Sequence, residues 1–141
     1  MKNLKIKTHR KNLFAAVVLF SFAAFFIPDS AFAQQSGISR TNLQRHNIEI
    51  LGYETIQARI DFEPDSAFGM HSHPGEEMIY VLEGIFEYQI EGEKPVVLKA
   101  GEVLFIPAGK NHSAKNIGKV KASELATYIV RKDQPLLVMK K

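Results

Sequence analysis

The sequence predicts an all-β domain, an antiparallel sandwich or barrel. Short β-rich runs recur from Tyr53 onward, turn signals carrying glycine divide them, and no stretch after residue 33 shows sustained helical periodicity. A single domain is expected, because 141 residues is close to the usual domain size of about 100–150 and no tandem repeat divides the chain.

The first 33 residues read as a leader rather than as part of the fold. Lys2, Lys5, Lys7, Arg10 and Lys11 precede the apolar run from Leu13 to Ile27, and Ala31-Phe32-Ala33 follows it. A basic start, a short apolar stretch and an A-x-A end are the three parts of a secretory signal peptide, with cleavage after Ala33. A membrane-spanning helix needs roughly 20 apolar residues, more than this run supplies, so a cleaved signal is expected over a retained anchor. The domain is then residues 34–141, periplasmic or secreted, with no stable membrane anchor. Arg10-Lys11 lacks the second arginine of a twin-arginine signal, which leaves general secretion as the expected route.

After the leader, Gln34 to about Asn47 is polar. Gln34-Gln35-Ser36-Gly37 looks like a flexible start to an arm that pairs or swaps, and the only hint of a helical turn lies near Arg40 to Arg45. From Tyr53 the period is two: Ile56, Ala58, Ile60 and Phe62 fall on one face, and Thr55, Gln57, Arg59 and Asp61 on the other. Pro64-Asp65 ends this strand, and Phe68 to His73 makes a further extended piece, closed by the turn pair Pro74-Gly75. Met78 to Gly84 is β-rich. Ile85 to Glu93 alternates Phe86, Tyr88 and Ile90 against Glu87, Gln89 and Glu91, with Glu83-Gly84 and Glu91-Gly92 as hairpin turns. The run "PVVLKAGEVLFIPAG" gives two strands divided at Ala100-Gly101, and Ser123 to Lys132 gives the last clear one.

Charge and composition exclude several functions. The leader carries five basic residues and one acid, Asp29, so the chain's net charge of +3 becomes −1 for residues 34–141. The basic character therefore belongs to the leader and argues against a nucleic-acid partner. There are no cysteines, which removes disulfides, zinc-thiolate sites and thiol nucleophiles together. Packing, a metal with harder ligands, or a dimer must hold so small a core.

The stretch Gly69-Met70-His71-Ser72-His73-Pro74-Gly75-Glu76-Glu77 carries the chemistry. Side chains two apart on a strand point the same way, so His71 and His73 share a face if this segment is extended. The turn at Pro74-Gly75 brings Glu76 and Glu77 back toward them, and spacing alone leaves open which acid completes the set. A further ligand must come from elsewhere; His112 is the candidate, since His46 sits in the polar arm. Three histidines and a carboxylate suit one divalent first-row ion (Fe, Mn, Ni, Cu or Zn) and leave room for water or substrate.

These residues resemble the cupin superfamily. "HSHPGEEMIYVLEG" is similar to its first motif, with His71, His73, Glu77 and Gly84 in place. "GEVLFIPAGKNHSAKN" is similar to the second, with Gly101, Pro107, Gly109, His112 and Asn116 at the matching spacings. One position departs: where the family pattern has a glycine six residues before the first histidine, this chain has Asp65. The resemblance implies a double-stranded β-helix barrel of the small single-domain (cupin type-2) kind, often dimeric, with the ion inside on His71, His73, Glu77 and His112. It assigns the carboxylate to Glu77 and leaves Glu76 as an acid at the rim.

Phe86, Tyr88, Ile90 and Phe105 either line the mouth or floor of the pocket or, for most of them, read as core, and Asn111 and Asn116 read as loop or turn residues. Asn111-His112-Ser113 also fits a glycosylation sequon, although the second motif claims the same histidine. Glu76 and Tyr88 are the candidate catalytic groups, Tyr88 because its hydroxyl can donate to a ligand at the ion. The first functional expectation is an exported mononuclear metal protein acting on a small metal-chelating substrate, as a dioxygenase or related oxidoreductase or isomerase. The alternative is a non-catalytic ligand-binding or sensing module with a structural metal, and a third reading is a dimerising scaffold. A homodimer fits all three, because "MIYVLEG" is apolar on both faces.

Overall fold

The structure is a computed structural model and describes residues 35–140. The expected leader lies outside the described residues. These contain ten strands and no helix, and so none long and apolar enough to cross a membrane. The strands are β1 (Ile38–Asn47), β2 (Tyr53–Phe62), β3 (Ala67–Ser72), β4 (Gly75–Glu83), β5 (Ile85–Ile90), β6 (Val96–Lys99), β7 (Val103–Ile106), β8 (His112–Asn116), β9 (Ala122–Arg131) and β10 (Val138–Met139). They form two five-stranded sheets, ordered β1-β2-β9-β4-β7 and β10-β3-β8-β5-β6, in which every pairing is antiparallel.

The period-two reading of β2 holds residue by residue. Ile56, Ala58, Ile60 and Phe62 are buried while the residues between them are half-exposed. The same alternation buries Phe86, Tyr88 and Ile90 of β5 and Ala122, Glu124, Ala126, Tyr128 and Val130 of β9. Inward side chains of the two sheets meet in one core, in which Phe62 and Phe86 pack edge to face at 5.0 Å. Each such ring contributes about 1.5–3 kcal/mol on leaving water.

The segment expected to hold a helical turn, Arg40 to Arg45, is instead part of β1. It pairs with β2 from Ile38 opposite Phe62 to Asn47 opposite Glu54, with a bulge between Asn42 and Gln44. Pairing satisfies the backbone, and polar side chains suit a sheet edge that must not recruit further strands. The expected arm does therefore pair, within its own chain.

Two backbone positions explain motif residues. Gly84 joins β4 to β5 at φ 81°, and a Cβ there would stand 2.5 Å from that of Ala122, so both conformation and space call for glycine. Asp65 adopts φ 61°, the left-handed region that aspartate tolerates better than most residues. The turn thus keeps a glycine-like conformation with a different residue. Asn116, fully buried at the end of β8, ties the loops around it together. Its amide donates to the carbonyls of Phe62, Glu63 and Val120 at 2.8–3.2 Å, and its side-chain oxygen accepts from the Gly118 amide at 2.8 Å.

One outer face is unusually apolar. Met78, Tyr80 and Leu82 of β4 point away from the core, and Val103 and Phe105 of β7 lie beside them, Met78 opposite Phe105 and Tyr80 opposite Val103. All five are exposed, so Phe105, expected in the core or at the cavity, is in neither, because β7 turns it to the outer face opposite Met78.

Candidate metal centre

A local irregularity delivers the first histidine. On β3, Phe68 lies opposite Ala114 of β8 and His71 opposite His112, so Gly69 and Met70 together face the single residue between. A bulge of this kind re-aims the side chains that follow it. It turns the Gly69 carbonyl onto His71 Nδ1 at 2.7 Å. His73 lies just beyond β3, and its Nδ1 meets the Leu136 carbonyl at 2.6 Å. His112 opens β8, with its Nδ1 3.0 Å from the carbonyl of Lys110. A carbonyl can only accept, so each Nδ1 carries a hydrogen, and in the neutral ring the lone pair is left on Nε2.

Ligand atoms of His71, His73 and His112 lie within 4.8 Å of one another. Glu77, on the inner face of β4, brings its Oε2 to 2.9 Å from His112 Nε2 and 3.4 Å from His73 Nε2. All four side chains are at least nine-tenths buried. His73 Nε2 and Glu77 Oε2 have no hydrogen-bond partner among the described residues. Lone pairs that converge in a buried space without a donor are costly, and a cation at their focus relieves that cost. Three imidazole nitrogens and one carboxylate are the donor set of a divalent first-row ion, with positions left for an exogenous ligand.

Electrostatics prepares the set for a cation. Burial, helped by the charge of His112, pushes His71 down to about 4. Burial also opposes ionisation of Glu77, but His112 and His73 outweigh it and hold this carboxyl below the usual range. His112 is raised, because Glu77 outweighs its burial. At neutral pH His71 is therefore a neutral imidazole and Glu77 a carboxylate, the forms that bind metal.

The cluster opens into a cavity of about 310 Å³ between the sheets, at the lower end of the range for small-ligand sites. Its walls are mostly apolar, with Ile60, Phe62, Phe68 and Leu137 among them, and the polar residues beside the histidines and Glu77 include Arg40, Tyr88, Glu124 and Tyr128. Tyr88 has no exposed surface, and its hydroxyl donates to Glu124. Burial and then the charge of Glu77 push the Glu124 carboxyl up to about 8, against the hydrogen bond from Tyr88. The hydroxyls of Tyr88 and Tyr128 are both pushed well above their ordinary value, chiefly by burial.

The structure thus brings together His71, His73, Glu77 and His112. Tyr88 lines the same cavity, whereas Glu76 alternates to the other face of β4, opposite Ile129, half-buried. His46 is exposed on β1 opposite Thr55. Asn111, of the sequon, donates to Glu91 at 2.7 Å. Sequence reasoning missed Glu124, Arg40 and Tyr128. Glu124 had a signal, an acid at an inward position of a strand whose other inward residues are Ala122, Ala126, Tyr128 and Val130.

Residues 58–128 match a family model described as a cupin domain. An oxalate-binding protein of Thermotoga maritima is 40% identical over 76 residues, covering 52% of this chain and 60% of its own. Germin-like protein 1 of Brassica napus is 39% identical over 83 residues, 55% of this chain and 39% of its own. The matches therefore span less than two thirds of either relative. Among solved structures, a recombinant oxalate oxidase in complex with glycolate superposes with a TM-score of 0.59 at 26% identity, over 73% of this chain and 55% of that one.

Proposed function

The chain belongs to the cupin family, and from that membership and the geometry of its cavity we propose that it binds one divalent first-row metal on His71, His73, Glu77 and His112 and acts as an oxidoreductase on a small metal-chelating acid. The observation that carries this reading is the convergence of three Nε2 lone pairs and Glu77 Oε2 at the end of a small buried cavity. The fold is the double-stranded β-helix shared with the oxalate oxidase structure. Bound there, the ion would act as a Lewis acid, orient a chelating substrate and, as iron, manganese, nickel or copper, support redox chemistry.

The chain's own residues would do the rest. The carbonyls of Gly69, Leu136 and Lys110 fix the three imidazoles, which keeps the donor set in place as ligands exchange. The apolar wall excludes water and so strengthens each polar contact inside. Glu124, protonated at neutral pH, can give or hold a proton in the same cavity. Specificity for a small chelating acid is drawn from the likeness to an oxalate-binding protein and an oxalate oxidase.

Non-catalytic binding of such an acid is the second reading, and the similarity to an oxalate-binding protein favours it. Under either reading the protein is exported by the expected leader to the periplasm or exterior. It forms a homodimer through the apolar face of β4 and β7.

Elemental analysis of the purified protein beside a His112→Ala variant, with oxygen uptake recorded against oxalate, glycolate, enediols and flavonols, tests this. Stoichiometric redox-active metal lost in the variant, with substrate-dependent uptake, supports the enzyme. Tightly held metal with acid binding but no uptake leaves the binding module. A parent protein that takes up no metal even after reloading overturns both readings.

A further inference from the structure

The cavity that holds the candidate ligands also carries a positive charge, that of Arg40. Arg40 of β1 lies directly across from Ile60 of β2, and both side chains line the cavity. The Arg40 guanidinium sits over the ring of Tyr128, 5.4 Å from its centroid, and its Nε donates to Asn42 Oδ1 at 2.8 Å. Tyr128 in turn packs on His73, ring to ring at 4.8 Å, and pairs with Glu77 across β4 and β9. The ring of Tyr128 is thus in contact with both the guanidinium and one candidate ligand, His73, and Arg40 is held at the cavity by its contacts with Tyr128 and Asn42. A planar guanidinium held in this way is suited to two-point recognition of a carboxylate.

Charge balance points the same way. With a divalent ion on the cluster, Glu77 offsets only one of its two positive charges, and Arg40 adds another. A buried space with excess positive charge favours an anion, and a dianion balances it more fully than a monoanion does.

Resting on the proposed metal-dependent binding of a small acid, we infer that Arg40 makes this cavity selective for dicarboxylates, taking the second carboxylate of a ligand whose first lies at the histidine cluster. Glycolate and oxalate separate this role from general binding. Both can chelate the ion, but only oxalate has a second carboxylate.

The test is calorimetric titration of metal-loaded protein with oxalate, malonate and glycolate, for the parent, Arg40→Gln and Arg40→Lys, with metal content measured on each sample. The parent is expected to bind the two dicarboxylates at least tenfold more tightly than glycolate. Arg40→Gln should lose about ten- to hundredfold in oxalate and malonate affinity, the range for a charge-assisted pair, while glycolate affinity and metal content stay unchanged. Arg40→Lys should keep part of the preference. Equal affinity of the parent for glycolate and oxalate overturns the inference, as does an Arg40→Gln variant that keeps the preference or loses both ligands equally. Should Arg40→Gln fail to fold, a folded Arg40→Lys variant that keeps only part of the preference supports the inference, and one with the parent's preference undiminished overturns it. A parent that binds none of the three acids, or binds them equally after chelation of the metal, overturns the proposed function itself.

Discussion

Tyr88 donates its hydroxyl hydrogen to Glu124 in a place that water barely reaches, the two side chains being 0% and 5% exposed. Folded, Glu124 keeps its proton up to about 8; unfolded, it ionises at the ordinary carboxylate value. Between those values the native state holds more protons than the unfolded one. This contribution is therefore fully present below the ordinary carboxylate pKa and is lost as pH rises toward 8. Glutamine resembles the protonated acid but does not ionise. In protein freed of metal by a chelator, Glu124→Gln is expected to melt with the parent near pH 4.5 and increasingly above it toward pH 8.5, by on the order of a few kcal/mol. Thermal melts of both across that range check this, and a difference independent of pH would refute it.

Glu77 has the opposite sign. Its carboxyl is held below the usual range, so its contribution is present above the ordinary carboxylate pKa and is lost as pH falls through the lower folded value. Glu77→Gln removes the charge that favours a cation, and dialysed variant is expected to carry less than about a tenth of the parent's metal. Chelation of the parent should lower its melting temperature on the order of ten degrees, since a ligand present at a thousand times its Kd adds about 4 kcal/mol. Calorimetry with and without chelator, followed by reloading, measures both effects.

Asp65 occupies a backbone conformation at φ 61° that glycine adopts more freely. Asp65→Gly should leave stability unchanged or raise it by up to about 1 kcal/mol, and Asp65→Val should lower it by about 1–2 kcal/mol. Denaturant midpoints of the pair distinguish a conformational requirement from one for the aspartate side chain, which would make both variants less stable.

Asn116 closes three carbonyls and one amide at once. Asn116→Ala is expected to cost about 2–4 kcal/mol, since several buried polar groups lose their partners together. Urea unfolding at neutral pH measures it; a loss below about 1 kcal/mol would mean that water takes over the amide's bonds.

The proposed dimer rests on Met78, Tyr80, Leu82, Val103 and Phe105. A glutamate at the middle of that patch should separate the subunits by burying a charge without a partner. Sedimentation of Tyr80→Glu is expected to give a monomer where the parent gives a dimer, with metal content unchanged. A parent that is already monomeric removes this surface as an interface between copies.

Much of this architecture was legible in the sequence because apolar and polar residues alternate in β2 and β5, the direct imprint of a half-buried strand. β8 left no such mark. Its inward residues are His112, Ala114 and Asn116, and a central strand whose buried face is given over to a ligand and a polar tie shows no apolar period. β1 escaped for a different reason: pairing with β2, rather than burial, holds it extended. Within the site, two local motifs announced the four candidate ligands. Arg40, Glu124 and Tyr128 belong to the cavity only through the pairing of β1, β2, β9 and β4, which no short window of sequence displays.

The bond from His73 to the Leu136 carbonyl has a consequence in time. A ribosome makes all four ligands by the time it passes His112, yet the carbonyl that orients His73 emerges 24 residues later. A chain interrupted between Asn116 and Leu136 would carry both motifs complete, yet lack the carbonyl that orients His73 and all or part of β9 beside Glu77. The order of the site thus depends on the last stretch of the chain to be made, which neither motif contains.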